Sequence, residues 1–451
     1  MIAKKFKNIK ICFLSTGIGA GSKLLQSYID GSREVLMIPS YILMYLYPNW
    51  ILWKKESKIT SWTKCLNELL IRHPSLLDTS ILPGSSDLNK LGKSKKKKIL
   101  LKKEEFCKEF IDIAKGEKIN FKNFLLSIHL AYATCVKQNI NKKKLLFFHA
   151  HDPDFINEML KIFPEGKVIS MYRDIRKNLP GRVRFSLNKI NSKYLNKTDV
   201  FLMNLSSYQK SLYRNYIGIE SIKTTNFNNH KVVSFDDLIK NKEKMVKKVF
   251  KYLKLKFVAK TNLRQTFLNY QWSAEFYKSR IKKTKKENSN FFYFWELIWM
   301  KYLYSKFLKK YDKEKINFIY LFFLFPLILM PSKYEVSLIK KIISLGFIKS
   351  FFSNVIKECN SNTNKIYEKW GYYEFKWYSK NYPFKFKNLF LKKISTKDKK
   401  LVWKILYLLI KIFEFIFYPL LIFLNYILRI INCLKFILFN FTDNHLPKKI
   451  C

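Results

Sequence analysis

The stretch Leu14-Ser-Thr-Gly-Ile-Gly-Ala-Gly-Ser-Lys-Leu-Leu-Gln26 decides how this chain reads. Glycine is scarce, with 12 in 451 residues, yet Gly17, Gly19 and Gly21 fall within five positions. An apolar run, Ile9 to Leu14, precedes them, and a helical pattern from Leu24 to Ile29 follows. Strand, glycine turn and helix start together aim backbone N–H groups and the positive end of a helix dipole at one spot, an arrangement suited to phosphate or sulfate. The spacing is neither a Walker A motif, which needs four residues between its glycines, nor GxGxxG. Taken alone, the loop also fits a turn made tight only for packing.

Working outward, further strands alternate with helices. Leu145–Phe148 reads as a strand ending in His149-Ala-His-Asp-Pro153, with a helix from about Phe155 to Phe163 behind it. Lys167–Tyr172 reads as a second strand ending at Arg173, and Val232–Phe235 as a third, followed by a helix to about Leu255. Residues 99–137 and 197–217 have helical periods, and 31–90 holds short apolar runs broken by prolines. Lys93–Lys98 is a solvated charge run. This alternation predicts an α/β fold with a parallel sheet, in which ligands sit at the carboxyl ends of the strands. The glycine loop, His149–Asp152 and Arg173 all follow such ends.

Four of the ten arginines, Arg173, Arg176, Arg182 and Arg184, lie within twelve residues in a chain that otherwise uses lysine. Arginine offers a planar fork that grips phosphate bidentately. A solvated basic helix face is the alternative, least of all for Arg173 at its strand end. His149 and His151 are two of only six histidines, with Asp152 beside them. A general base, a structural histidine and a metal ligand are all open for His151, although no matching ligand cluster appears elsewhere.

These pieces, in this order, resemble the sulfotransferases that use 3′-phosphoadenylyl sulfate (PAPS), in particular bacterial, carbohydrate-type members. The family's loop, of the type GxxRSGTTLL followed by LLDGHPEV, is similar to GIGAGSKLLQSYIDGSREVLMIP at Gly17–Pro39. Its second phosphate segment, RDPRDNLxS after a strand, is similar to FPEGKVISMYRDIRKNLPG at Phe163–Gly181. His149–Pro153 looks like the family's KTHLP segment, and Val233–Leu238 like its "vryEdL". The resemblance covers roughly residues 8–280.

The resemblance implies a P-loop-like parallel sheet flanked by helices. It implies PAPS as sulfuryl donor, with no metal. The cofactor site would comprise Gly17, Gly19, Ala20, Gly21, Ser22, Lys23, Leu24, Arg173 and Gly181. Backbone groups of Gly19–Lys23 and the Ser22 side chain would hold the 5′-phosphosulfate, and Arg173 the 3′-phosphate. His151 would take the acceptor's proton. The chain departs from the pattern where it matters. Gly19 replaces the loop's basic residue, Lys23 stands where a second threonine belongs and becomes the candidate for the missing catalytic charge, and Gly181 replaces the serine paired with the arginine. Ile175 in place of proline is a lesser change. Two other classes stay open: a membrane-associated scaffold that keeps the fold without the chemistry, and a nucleotide kinase or NTPase, against which the missing Walker A motif counts.

The formal charge is +52, with 85 lysines and arginines against 33 acids. Abundant Lys, Ile, Asn, Phe and Tyr read as AT-rich coding more than as a nucleic-acid surface, and no zinc-finger or RNA-binding signature accompanies them. The charge still favours anionic membranes and anionic substrates. Seven scattered cysteines without CxxC suggest free thiols in a reducing compartment. The first residues lack a signal-peptide h-region. The expected organisation is an α/β domain over 1–288, a helical extension over 289–400 and an amphipathic tail over 401–451. In the tail, Lys404, Lys411, Glu414, Asn425, Arg429, Asn432 and Lys435 fall within an arc of roughly 140° on a helix. Its longest uncharged run, Phe415–Leu428, has 14 residues, short for a bilayer span. Lying in a membrane interface, packing on protein and spanning the bilayer are weighed in that order. The picture is a protein on the cytoplasmic membrane face acting on a glycan or glycolipid acceptor, with oligomeric state and acceptor identity open.

Overall fold

The computed structural model describes residues 9–16, 19–39, 46–81, 88–151, 153–174, 224–272, 292–303 and 448–449, together with a few single positions including Asn178. The chain divides into two compact units. One comprises 1–178, 211–286 and 442–451, and the other 179–210 and 287–441. Of the last ten residues, Lys448 and Lys449 are described, and they pair within the first unit.

The first unit is built on a parallel sheet. Strand β1 (Lys10–Thr16) is its centre, followed by helix α1 (Ser22–Ile29) and the short edge strand β2 (Val35–Leu36). Helices α2 (Leu46–Lys55), α3 (Trp62–Arg72), α4 (Lys103–Ala114) and α5 (Phe121–Cys135) come next. Then follow β3 (Leu145–His151), α6 (Pro153–Ile162), β4 (Lys167–Tyr172), β5 (His230–Ser234), α7 (Phe235–Lys240) and α8 (Lys242–Leu253). A one-turn helix α9 (Ala259–Asn262) leads into a hairpin of β6 (Thr266–Phe267) and β7 (Tyr270–Gln271). The sheet order is β2-β3-β1-β4-β5, and β8 (Lys448–Lys449) adds a short parallel pairing outside β5. The α/β class expected from the sequence is thus present.

β1 is apolar on both faces because both are covered. Ile11, Cys12, Phe13 and Leu14 are all buried, as central parallel strands require. Phe13 meets Phe148 of β3 and Phe163 edge-on, with ring centres 6.4 and 6.0 Å apart. Every residue of α1 is buried, polar ones included. A second aromatic cluster joins α2, α4 and α5. Trp50 lies 4.9 Å from Phe124, and Phe124 lies 6.1 Å from Trp53 and 6.0 Å from Phe110. Tyr252 of α8 pins the β4–β5 side, its hydroxyl donating to the Asn229 carbonyl at 2.7 Å.

Several expectations need revision. The helical period at 99–137 is two helices, because Lys115–Asn120 forms a turn with Gly116 at φ +77° and Asn120 caps α5 by accepting from the Asn123 N–H at 2.8 Å. Phe235 begins a helix instead of ending a strand, since the Ser234 hydroxyl accepts from the Asp237 N–H at 3.3 Å and caps it. The helix expected to run from there to Leu255 breaks at Asn241. Helices α2 and α3, within the proline-broken stretch 31–90, were not expected. The described cysteines, Cys12, Cys65, Cys107 and Cys135, are free thiols. The helical reading of 197–217 lies outside the described residues, as does nearly all of the tail.

In the second unit, helix α10 (Phe294–Leu303) begins beside a stacked pair, Tyr293 and Trp295, with ring centres 4.3 Å apart. Trp295 Nε1 donates to the Pro331 carbonyl at 3.2 Å. Among the described residues, no helix is long and apolar enough to cross a membrane.

Candidate anion-binding site

The carboxyl ends of β1, β4 and β5 meet at one edge of the sheet. In the sheet order the connection from β1 runs to one side, towards β2, and that from β4 to the other, towards β5, so the strand order reverses between the neighbours β1 and β4, the place where open parallel sheets bind ligands. After β1 the described chain continues at Gly19. Gly19 and Gly21 have φ of +86° and +88°, a left-handed backbone that glycine adopts without strain. Ala20 between them is buried.

Each left-handed glycine is closed off by a side chain from another strand end. A Cβ on Gly21 would stand 2.1 Å from Cδ2 of Phe235, the residue directly after β5. A Cβ on Gly19 would stand 2.4 Å from Oδ1 of Asn178, in the segment after β4. Neither position accommodates any other residue without movement.

Gly21 is also the N-cap of α1. Its carbonyl accepts from the N–H of Leu24 at 2.9 Å and of Leu25 at 3.3 Å. No side chain caps this helix, and its first turn holds no acid. Helix N–H groups and the positive end of the dipole therefore face the glycine turn.

Arg173 leaves the end of β4, and its guanidinium carbon lies 4.8 Å from the centre of the Phe235 ring. Phe235 itself is buried. The same ring thus abuts the Gly21 backbone and carries the Arg173 guanidinium. Asp174 and Asn178 form the next turn, with the Asn178 N–H donating to the Asp174 carbonyl at 2.9 Å. Both side chains are buried.

Of the residues singled out from the sequence, Gly19, Ala20, Gly21, Ser22, Lys23, Leu24 and Arg173 lie along this edge. Ser22 and Leu24 are buried. Lys23 is 8% exposed, and its ammonium donates to the Pro39 carbonyl at 3.0 Å and sits 5.1 Å from the centre of the Phe267 ring. Gly17 and Gly181 lie outside the described residues, as do Arg182, Arg184 and Asp152. Of His151 only the backbone is described. It closes β3 opposite Ser15, past an irregularity in register between Leu14 and Ser15.

Phe235, Asn178 and Ser15 were missed from the sequence. Ser15 is fully buried near the end of β1, and its hydroxyl has no hydrogen-bond partner among the described residues. The family-like segment at Val233–Leu238 was the one signal pointing towards Phe235.

The far end of α1 is tied down separately. Asp30 accepts from Thr266 Oγ1 at 2.9 Å and from the Leu268 N–H at 3.1 Å, which fastens the β6–β7 hairpin. Burial raises the Asp30 carboxyl to about 6, against the pull of these hydrogen bonds and of nearby Lys143. Burial likewise lowers Lys143 to about 8, with Asp30 opposing it. The hairpin thus supplies both an anchor at Asp30 and the Phe267 ring beneath Lys23.

No family model matches the chain, and no curated protein matches its sequence.

Proposed function

We propose that the chain is a sulfotransferase that passes the sulfuryl group of PAPS to a hydroxyl or amino group of a glycan or glycolipid. One observation carries this reading: two left-handed glycines at an uncapped helix start are joined through Phe235 to the Arg173 guanidinium at a neighbouring strand end. That arrangement suits two anionic groups held on separate supports, as the 5′-phosphosulfate and the 3′-phosphate of PAPS are.

In this reading the backbone N–H groups of Gly19–Lys23 and the Ser22 hydroxyl hold the phosphosulfate. Arg173 binds the 3′-phosphate. The acceptor oxygen or nitrogen attacks sulfur in line, the bond between sulfur and the bridging oxygen breaks, and adenosine 3′,5′-bisphosphate leaves. His151 takes the acceptor's proton. Positioning and charge stabilisation supply most of the rate. The basic amphipathic tail would keep the enzyme at an anionic membrane surface on the cytoplasmic side, close to a lipid-linked acceptor.

A second reading has its own support. The Lys23 ammonium gives one of its three N–H groups to the Pro39 carbonyl, which ties this cation to the fold. A scaffold that keeps the fold without transfer chemistry fits that arrangement. Titration with adenosine 3′,5′-bisphosphate tests the first reading. Saturable binding that Arg173→Ala weakens at least tenfold supports it, since a charge-assisted phosphate contact contributes about 1.5–3 kcal/mol. Absence of binding overturns it. Binding without sulfuryl transfer to any glycan acceptor leaves the scaffold reading standing.

A further inference from the structure

We infer that Phe235 is a positioning residue that makes the glycine turn and Arg173 act as one anion site. This rests on the nucleotide reading above and names the residue on which its 3′-phosphate preference depends. Phe235 is 1% exposed and lies at the first position of α7, fixed there by the Ser234 cap. One edge of its ring, Cδ2 and Cε2, fills the space that a Cβ on Gly21 would need, at 2.1 and 2.5 Å. Its π system carries the Arg173 guanidinium at 4.8 Å. A guanidinium has several orientations open to it at a strand end. Contact with the face of a buried ring restricts those orientations.

The consequence concerns specificity. Arg173 serves only the 3′-phosphate, whereas the glycine turn serves the 5′ side. If Phe235 acts through Arg173, losing the ring should erode discrimination between adenosine 3′,5′-bisphosphate and adenosine 5′-monophosphate. A general loosening of the fold would weaken both ligands alike and leave their ratio intact.

The experiment is a titration of both nucleotides into the full chain as wild type, Phe235→Met, Phe235→Leu, Arg173→Ala and the Phe235→Met/Arg173→Ala double variant. Phe235→Met keeps nearly the same apolar volume and so guards against simple loss of folding. The wild type should prefer the bisphosphate. Phe235→Met and Phe235→Leu should each cut that preference by about five- to tenfold, the loss of one cation–π contact and of the order it imposes. The double variant should be no worse than Arg173→Ala alone, because both changes remove the same interaction. A wild-type preference that survives Phe235→Met, or losses that multiply in the double variant, overturns the role of Phe235 alone. A wild type without preference overturns the nucleotide reading and this inference with it.

Discussion

The Lys23 ammonium hydrogen-bonds the carbonyl oxygen of Pro39 at 3.0 Å, sixteen residues along the chain. Two neighbouring contacts reinforce the link between α1 and this segment. Gln26 Nε2 donates to the Ile38 carbonyl at 3.2 Å, and the Lys23 ammonium sits over the Phe267 ring. A hydrogen bond to a charged group contributes about 1.5–3 kcal/mol net. Lys23→Met keeps the aliphatic stem but loses that bond, so it should lower the unfolding free energy by about 1–3 kcal/mol. Urea denaturation measures this directly, and a midpoint equal to wild type would show that Lys23 does not brace the fold.

Gly21 and Gly116 offer a controlled comparison. Both have left-handed backbones, with φ of +88° and +77°. A Cβ at Gly116 meets nothing within 4 Å, whereas at Gly21 it collides with the Phe235 ring. Gly116→Ala should therefore cost only the backbone term, about 1–2 kcal/mol. Gly21→Ala should cost that plus the displacement of a buried aromatic ring, about 3 kcal/mol or more. Equal urea midpoints for the two variants would mean that Phe235 yields easily, and with it the packing against the glycine turn.

The acid response follows from groups of opposite sign. Burial lowers His73 to about 3, helped by the Arg72 charge, and lowers His129 to about 4 against a hydrogen bond with the Leu125 carbonyl. Both fall below the ordinary value of about 6.5, so the unfolded chain takes up their protons first and stability drops as pH falls from about 6.5 towards 4. Asp30, raised to about 6, works the other way: the folded state keeps its proton longer, so its share of stability grows as pH falls from about 6 to 4. The two histidines outweigh it, and the wild type should lose stability on acidification. His129→Leu should make that loss smaller by up to about 2 kcal/mol at pH 4.5, and Asp30→Asn should make it larger by up to about 2 kcal/mol. Urea unfolding at pH 6.5 and 4.5 decides, and a shift of either variant in the opposite direction would refute the assignment.

The parts of the fold legible in the sequence are those where one local signal suffices. β1, β3 and β4 are continuous apolar runs followed by punctuation, and parallel central strands have that pattern because both faces are buried. β2 and β8 have two residues each, too few to carry any period. α2 hid behind Pro48, which falls in its first turn, where proline is tolerated. At the site, the glycines and Arg173 could be read because their residue types are unusual for this chain. Phe235 could not, in a chain with 40 phenylalanines. Its importance comes from which backbone it touches, a tertiary relationship with no sequence period. The Pro39 carbonyl as a partner of Lys23 was equally out of reach, since a contact across sixteen residues leaves no local pattern.

The membrane proposal for the tail can be separated from the fold because Lys448 and Lys449 pair in parallel with Lys231 and Val232 of β5. Removing all of 401–451 would therefore strip an edge pairing from the sheet as well as the amphipathic stretch, and a change in behaviour would have two causes. Replacing 401–441 by a flexible Gly/Ser linker keeps the terminal strand able to reach β5. In sedimentation with vesicles containing anionic phospholipid, this variant should move from the pellet to the supernatant, with its urea midpoint for the α/β unit near wild type. A variant lacking only 442–451 should stay with the vesicles and show the lower midpoint. Continued pelleting of the 401–441 replacement would assign membrane binding to other parts of this lysine-rich chain, since diffuse positive charge alone attracts anionic lipid by about 1 kcal/mol per residue near the surface. Raising the salt concentration separates these two cases, because charge attraction is screened while burial of Leu, Ile and Phe is not.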